Sequence, residues 1–280
     1  MTDTLAFKNF TDRLKLLIIK NPRLITITLS NIFTMRLIGN KTHGDLAEIA
    51  IAEFINQFMY DFCSVHVGKD LFRAKEHEED IEIINEITKE SFPVSLKAYG
   101  DGPLQLSTDK NFQMFPALQD YGNVIEDKII IQKIMNHIAF SEFGRMNILP
   151  LIYDEKNKRC NILVFDSLKA RESIHKIQYE HEGKGRKHPV YRFYDLNNNY
   201  ICEVRYGGTN ANALQRGMWT HTKNALPFFN SITNGWIDYS HNTILVQLFS
   251  HALVSSSLGH DIALKEIKKD IETLKRGLAP

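Results

Sequence analysis

One lysine, Lys97, stands inside a run that otherwise reads as a buried β-strand, "FPVSLKAY" (92–99), closed by Gly100-Asp101-Gly102-Pro103. Val94, Leu96 and Ala98 alternate with Ser95, Lys97 and Tyr99, so Ser95 and Lys97 share one face. Lysine is depleted from strand interiors and almost never buried without a partner, and the sequence offers carboxylates upstream. Asp80 heads the β-compatible run "DIEII" (80–84); a hairpin between that run and 92–99 brings Asp80 and Lys97 to one end of a sheet. Glu48 and Glu53 lie in "HGDLAEIAIAEFINQFMYDF" (43–62), a helical pattern that is apolar around most of its circumference. They project about 140° from one another at 3.6 residues per turn, so one of them faces the site of Asp80. Glu48 is the expected one and Glu53 the alternative.

Two carboxylates and a lysine at a sheet edge have a defined chemistry. A hard divalent cation such as Mg²⁺ takes oxygen ligands and keeps several waters, so one or two carboxylates suffice to hold it. The metal polarises a phosphodiester and lowers the pKa of a bound water that attacks in line. The lysine neutralises charge developing on the phosphorane oxygens, or orients that water. Each group needs the others, because close carboxylates repel without a cation and a buried lysine ionises only beside negative charge.

Glu48 in "GDLAE", Asp80 in "EEDIEI" and Ser95-Leu96-Lys97 in "PVSLKAYG" together resemble the PD-(D/E)xK nuclease signature found in type II restriction endonucleases. The resemblance spans residues 44 to 100. It implies a mixed α and β fold with a restriction-endonuclease-like core, a central mixed sheet flanked by helices. It also implies sequence-specific, Mg²⁺-dependent cleavage of double-stranded DNA. Glu48, Asp80, Ser95 and Lys97 are then the catalytic positions, with Asp80, Glu48 and the Leu96 carbonyl on the metal. Ser95 stands where the family usually has Asp or Glu, which removes one metal ligand and shifts coordination onto Asp80, Glu48, Leu96 and water. A structure-specific or repair nuclease on the same core is an alternative, and so is a DNA-binding protein that does not cleave. Palindromic sites favour a two-fold homodimer by symmetry; a monomer is the alternative.

The rest of the chain must position these groups. Its 280 residues suffice for one large domain or two packed ones, and a net charge of +1 does not by itself announce a nucleic-acid binder. Cys63, Cys160 and Cys202 lie far apart with no CxxC pair, which fits a reducing cytoplasm. No apolar run reaches the roughly 18 residues of a membrane span, and the start "MTDTLAFKNF" lacks the order of a signal peptide. Residues 1–62 read as mostly helical, and 65–150 mix strands with a helical stretch at 124–143. From 147 onward the pattern is β-rich, with a turn at Asn197-Asn198-Asn199 and an amphipathic helix at 261–280. A catalytic core over 1–150 and a closely packed DNA-recognition region over 151–280 are expected.

Recognition is expected from "RYGGTNANALQRGMWTHTKNALPFF" (205–229), read as a loop and helix start. Asn210, Asn212, Gln215, Arg216, Thr220 and Lys223 are its DNA-binding candidates, since Arg reads guanine, amides read adenine, and Thr and Lys hold phosphates. A capped helix with an exposed polar face is the plainer alternative. The basic loop "GKGRKHP" (183–189) reads equally as a phosphate contact or a solvated turn. Two further alternatives compete with the metal site. The run 75–90 could form a charged, solvated helix, and Asp195, Glu203 and Arg205 could form a rival site, although Arg cannot give up a proton.

Overall fold

The computed structural model describes residues 2–34, 43–66, 81–100, 102–181, 183, 187–207, 215–248 and 260–277. Apolar residues at helical spacing build three helices at the start of the chain. They are α1 (Thr2–Lys20), α2 (Pro22–Thr34) and α3 (His43–Phe58). Phe7, Phe10, Leu14 and Ile18 form the buried stripe of α1, Ile25, Leu29 and Phe33 that of α2. Pro22 opens α2 at the one position where its missing N–H costs nothing.

After α3 the period of the buried residues falls to two. β1 (Phe62–His66), β2 (Ile81–Asn85) and β3 (Ser91–Tyr99) form an antiparallel meander in which Ser64 lies opposite Ile83, and Ile81 opposite Val94. Asn85 Oδ1 accepts from the backbone of Ile87 and Thr88 and shapes the turn between β2 and β3. The charged solvated helix considered for 75–90 is therefore not formed over 81–90.

The chain continues through β4 (Leu104–Thr108), α4 (Met114–Gln119), β5 (Val124–Ile125), α5 (Lys128–Met135), β6 (Ile148–Asp154) and β7 (Arg159–Phe165). Then follow α6 (Ser167–Glu172), β8 (Lys176–Glu180), β9 (Val190–Tyr194), β10 (Tyr200–Tyr206), β11 (Arg216–Thr220), β12 (Phe229–Ser231), β13 (Ile237–Asp238) and α7 (His260–Gly277). The helix expected across 124–143 shortens to α5, because Asp127 caps it by accepting from the amides of Ile129 and Ile130. In α7 the side chain of Ile271 is exposed. Among the described residues no helix is long and apolar enough to cross a membrane.

These strands make a mixed α+β fold with two sheets. The first runs β1-β2-β3-β6-β7-β12, with β13 also on β7; β6 is parallel to β3 and antiparallel to β7. Helices α1 to α3 cover one face of it, where Phe10 meets Phe62 and Phe92 at 5.4 and 5.9 Å between ring centroids. The second sheet, β4-β11-β10-β9-β8-β5, is antiparallel and carries its own core around Phe193, Ile177 and Val204. The packing does not divide at residue 150. Strand β6 crosses that position in the middle of the first sheet, and the second core draws on both 104–148 and 165–228.

The rival site dissolves into structure. Asp195 Oδ1 accepts from the amides of Asn197 and Asn199 and closes the expected turn, with Asn198 at φ 59°. Glu203 is buried in β10 between Arg192 (3.2 Å) and Arg205 (3.6 Å), and Arg205 stacks over Trp219. Glu203→Ala takes the carboxylate from Arg205 and leaves Arg192 only Glu180, at 3.0 Å, and is expected to cost about 3 kcal/mol. Urea unfolding measures this, and a loss of only a few tenths would show that solvent already screens the cluster.

Candidate active site

Among the described residues β2 begins at Ile81, and Lys97 lies three residues beyond its partner Val94 on β3. Ile81, the first residue of β2, pairs with Val94; from Ser95 onward the described neighbour of β3 is β6, with Ser95 opposite Ile148 and Lys97 opposite Pro150. Asp80 lies outside the described residues and directly precedes Ile81 in the chain. Val94 and Leu96 belong to the core under α1 and α3. Alternation therefore turns Ser95, Lys97 and Tyr99 to the opposite face, where Tyr99 packs against the second core. Lys97 is half-buried there.

Backbone direction matters as much as side-chain direction. The Ser95 amide donates to the Asn147 carbonyl at 2.9 Å, and Asn147 Nδ2 donates to the Pro93 carbonyl at 3.0 Å. Residues 93 and 95 thus turn their backbone groups toward β6. The Leu96 carbonyl, by the alternation of a strand ladder, points to the other edge, the side on which β2 begins.

Helix α3 reaches that same end of the sheet. Ser64 Oγ donates to the Ala52 carbonyl at 3.1 Å, and Asn56 grips the backbone of Ser64 through its amide and carbonyl. This fastens the middle of α3 over β1. Glu48 is one turn nearer the helix start than Ala52, about 6 Å along the axis, and so lies toward the end where Ile81 meets Val94. Glu48 is half-buried, whereas Glu53 is exposed. Glu48 and Lys97 approach this end of the sheet from opposite faces.

On the Lys97 face, Ser95 lines a cavity of about 400 Å³ that separates β3 from the second sheet. Lys110 and Arg145 are exposed at its wall, and Asp109 is buried, its carboxylate accepting from the amides of Gln113 and Met114 and from the Tyr206 hydroxyl. Neither cation carries a sequence signal, since each reads as an ordinary surface charge until the second sheet folds against β3. Two residues beyond Lys97, the Tyr99 and Thr222 hydroxyls are hydrogen-bonded, which ties the end of β3 to the second sheet. Burial pushes the Tyr99 hydroxyl up to about 12, against the hydrogen bond with Thr222, so it stays protonated at neutral pH.

The recognition candidates divide. Asn210 and Asn212 lie outside the described residues, as do positions 182 and 184–186 of the basic loop. Gln215 and Lys223 are exposed. Arg216 and Thr220 are buried, because 216–220 is strand β11 rather than a helix start. The Arg216 guanidinium lies over the Phe112 ring, and Thr220 Oγ1 donates to the Ile201 carbonyl at 2.7 Å. Neither side chain presents itself to a groove of DNA in this conformation.

The chain matches no protein-family model, no curated protein and no solved structure. Among the described residues no three His, Cys, Asp or Glu side chains gather as a metal-binding group. Near the start of β2 lie Glu48, on the helix turn above it, and the Leu96 carbonyl, on the strand edge that faces it. Both offer oxygen, the donor type that a hard divalent cation takes.

Proposed function

We propose that this protein is a Mg²⁺-dependent nuclease that cuts double-stranded DNA at specific sequences, a type II restriction endonuclease. The observation that carries the reading is the order of the first sheet. A helix with Glu48 leads into a three-strand meander, Asp80 directly precedes its second strand, and Ser95-Leu96-Lys97 lies on its third. That is the order which the PD-(D/E)xK resemblance implies. Glu48, Asp80 and the Leu96 carbonyl would hold the metal. Bound there, Mg²⁺ supplies a Lewis acid and an activated water. Lys97 holds positive charge where the phosphorane oxygens develop negative charge, and Ser95 offers a hydroxyl where an acid is usual. Lys110 and Arg145, exposed at the cavity beside β3, would bind the DNA backbone, and Gln215 and Lys223 remain candidates for contact with it.

Ser95 favours a second reading, a DNA-binding protein on this core that does not cleave. Incubation of plasmid DNA with the protein in Mg²⁺ and in EDTA separates the possibilities. Discrete bands that need Mg²⁺ are expected; a smear would mean a nuclease without sequence specificity, and intact plasmid would leave the binding reading. Within the nuclease, Asp80→Ala and Glu48→Ala are each expected to lose cleavage about a hundredfold or more, while Glu53→Ala cuts at the parental rate. The reverse order for the two glutamates would mean that α3 presents its other face to the metal.

A further inference from the structure

A second cleft, of about 800 Å³, opens at the ends of the parallel strands β3 and β6, beside the segment that follows Lys97. This lies within the size range of small-ligand sites. Tyr99, Gly100 and Gly102 form one wall, the 221–224 turn after β11 another, and Arg159 and Asn161 of β7 with Trp236, just before β13, a third. Trp236 is 46 % exposed, nearly half of a large aromatic residue left in water at the rim of a cavity.

Its surroundings hold that ring in place. Gly235, at φ 119°, makes the turn before it and donates its amide to Ser231 Oγ at 3.2 Å. Ser231 Oγ in turn donates to Asn161 Oδ1, which orients the Asn161 amide at the cleft wall. The guanidinium of Arg159 lies 4.7 Å from the Trp236 ring centroid and is itself fixed by Asp154, whose Oδ2 accepts from Nε at 3.0 Å. Lys156 and Lys223, both exposed, stand at the mouth. A fixed aromatic plane, an oriented amide and cations at the entrance are the parts of a single-strand nucleic-acid site. The base stacks on the ring, its edge meets an amide, and the phosphates meet the cations. A duplex, with its bases already stacked and paired, offers no free base face to the ring.

We propose that this cleft binds an unpaired stretch of DNA, with one base stacked on Trp236. The nucleic-acid ligand is taken from the function proposed above, but the site does not depend on cleavage. Its place beyond Lys97 gives it a use in that reaction, as a hold on a strand displaced from the duplex at the cutting site.

The test is titration of a dye-labelled short oligothymidylate with the intact protein in EDTA, read by fluorescence anisotropy, so that no cleavage interferes and the signal is the same for every variant. Wild-type protein should raise the anisotropy, and Trp236→Ala should weaken binding by about tenfold, within the range for loss of one stacked base. Trp236→Phe, which keeps a stacking face, should recover most of the affinity. Asn161→Leu serves as a second variant, expected to weaken binding without removing the ring. Equal affinity of wild type and Trp236→Ala, no binding of the oligonucleotide by wild type, or equally tight binding of thymidine monophosphate as a competitor would each overturn the proposal. A protein that cuts plasmid yet binds the oligonucleotide independently of Trp236 loses this inference and keeps the nuclease reading. One that fails to cut but binds through Trp236 does the opposite.

Discussion

Lys97→Ala is expected to slow DNA cleavage by about a hundredfold to a thousandfold, the loss that follows removal of one group aimed at transition-state charge. Binding of uncut DNA in EDTA should stay within a few-fold of wild type, because the lysine acts on charge that develops only as the phosphodiester is attacked. The motivation is positional. Lys97 is half-buried on β3, on the face it shares with Ser95, three residues beyond the pairing of Val94 with Ile81 at the start of β2. Lys97→Arg should not restore the rate, since a planar guanidinium differs from a compact ammonium in both shape and proton chemistry. Measurement of single-turnover cleavage beside equilibrium binding separates the two effects. A variant that cuts at the wild-type rate would remove Lys97 from the mechanism, and a parallel loss of binding would make it a DNA contact.

Gly217→Ala is expected to destabilise the protein by about 4 kcal/mol or more, at the upper end of what single substitutions do. Gly217 adopts φ 134° in β11, where it pairs with Thr108 beside the irregular register at Met218 and Trp219. A Cβ there would lie 2.0 Å from the Ser107 carbonyl oxygen and 2.9 Å from Thr108 Cα, both backbone atoms that cannot turn aside. Gly235→Ala is the natural control. Its φ of 119° is comparable, but no atom lies within 4 Å of the added Cβ, so only backbone strain of about 1–2 kcal/mol is expected. Urea denaturation of the two variants tests this directly. Equal losses would show that dihedral strain, rather than the contact with β4, decides the cost at Gly217.

Several features of this fold were legible from the residues alone, and each is local. Phe7, Phe10, Leu14 and Ile18 recur at helical spacing and form the buried stripe of α1. Val94, Leu96 and Ala98 alternate with polar neighbours and lie on β3, whose hairpin with β2 follows from the same period of two. Asp195 and Asn198 carry the chemistry of a tight turn, and they make one. Local pattern works here because a backbone period and a turn geometry depend only on residues a few positions apart.

Other features depended on what the tertiary structure brought together. The segment "RGMWT" has the side chains of a DNA reader, and only its insertion between β4 and β10 makes it a buried strand with Arg216 under Phe112. Glu48 and Glu53 are equivalent on the helix; the grip of Asn56 and Ala52 on Ser64 decides which of them lies nearer the start of β2. The β-rich pattern from 147 onward does not mark a boundary at residue 150, because the second sheet is threaded between β3 and β6 and again between β7 and β12. The physical reason is common to all three. A sequence pattern reports which face of an element is apolar, whereas burial and convergence are set by partners separated from it by tens of residues along the chain.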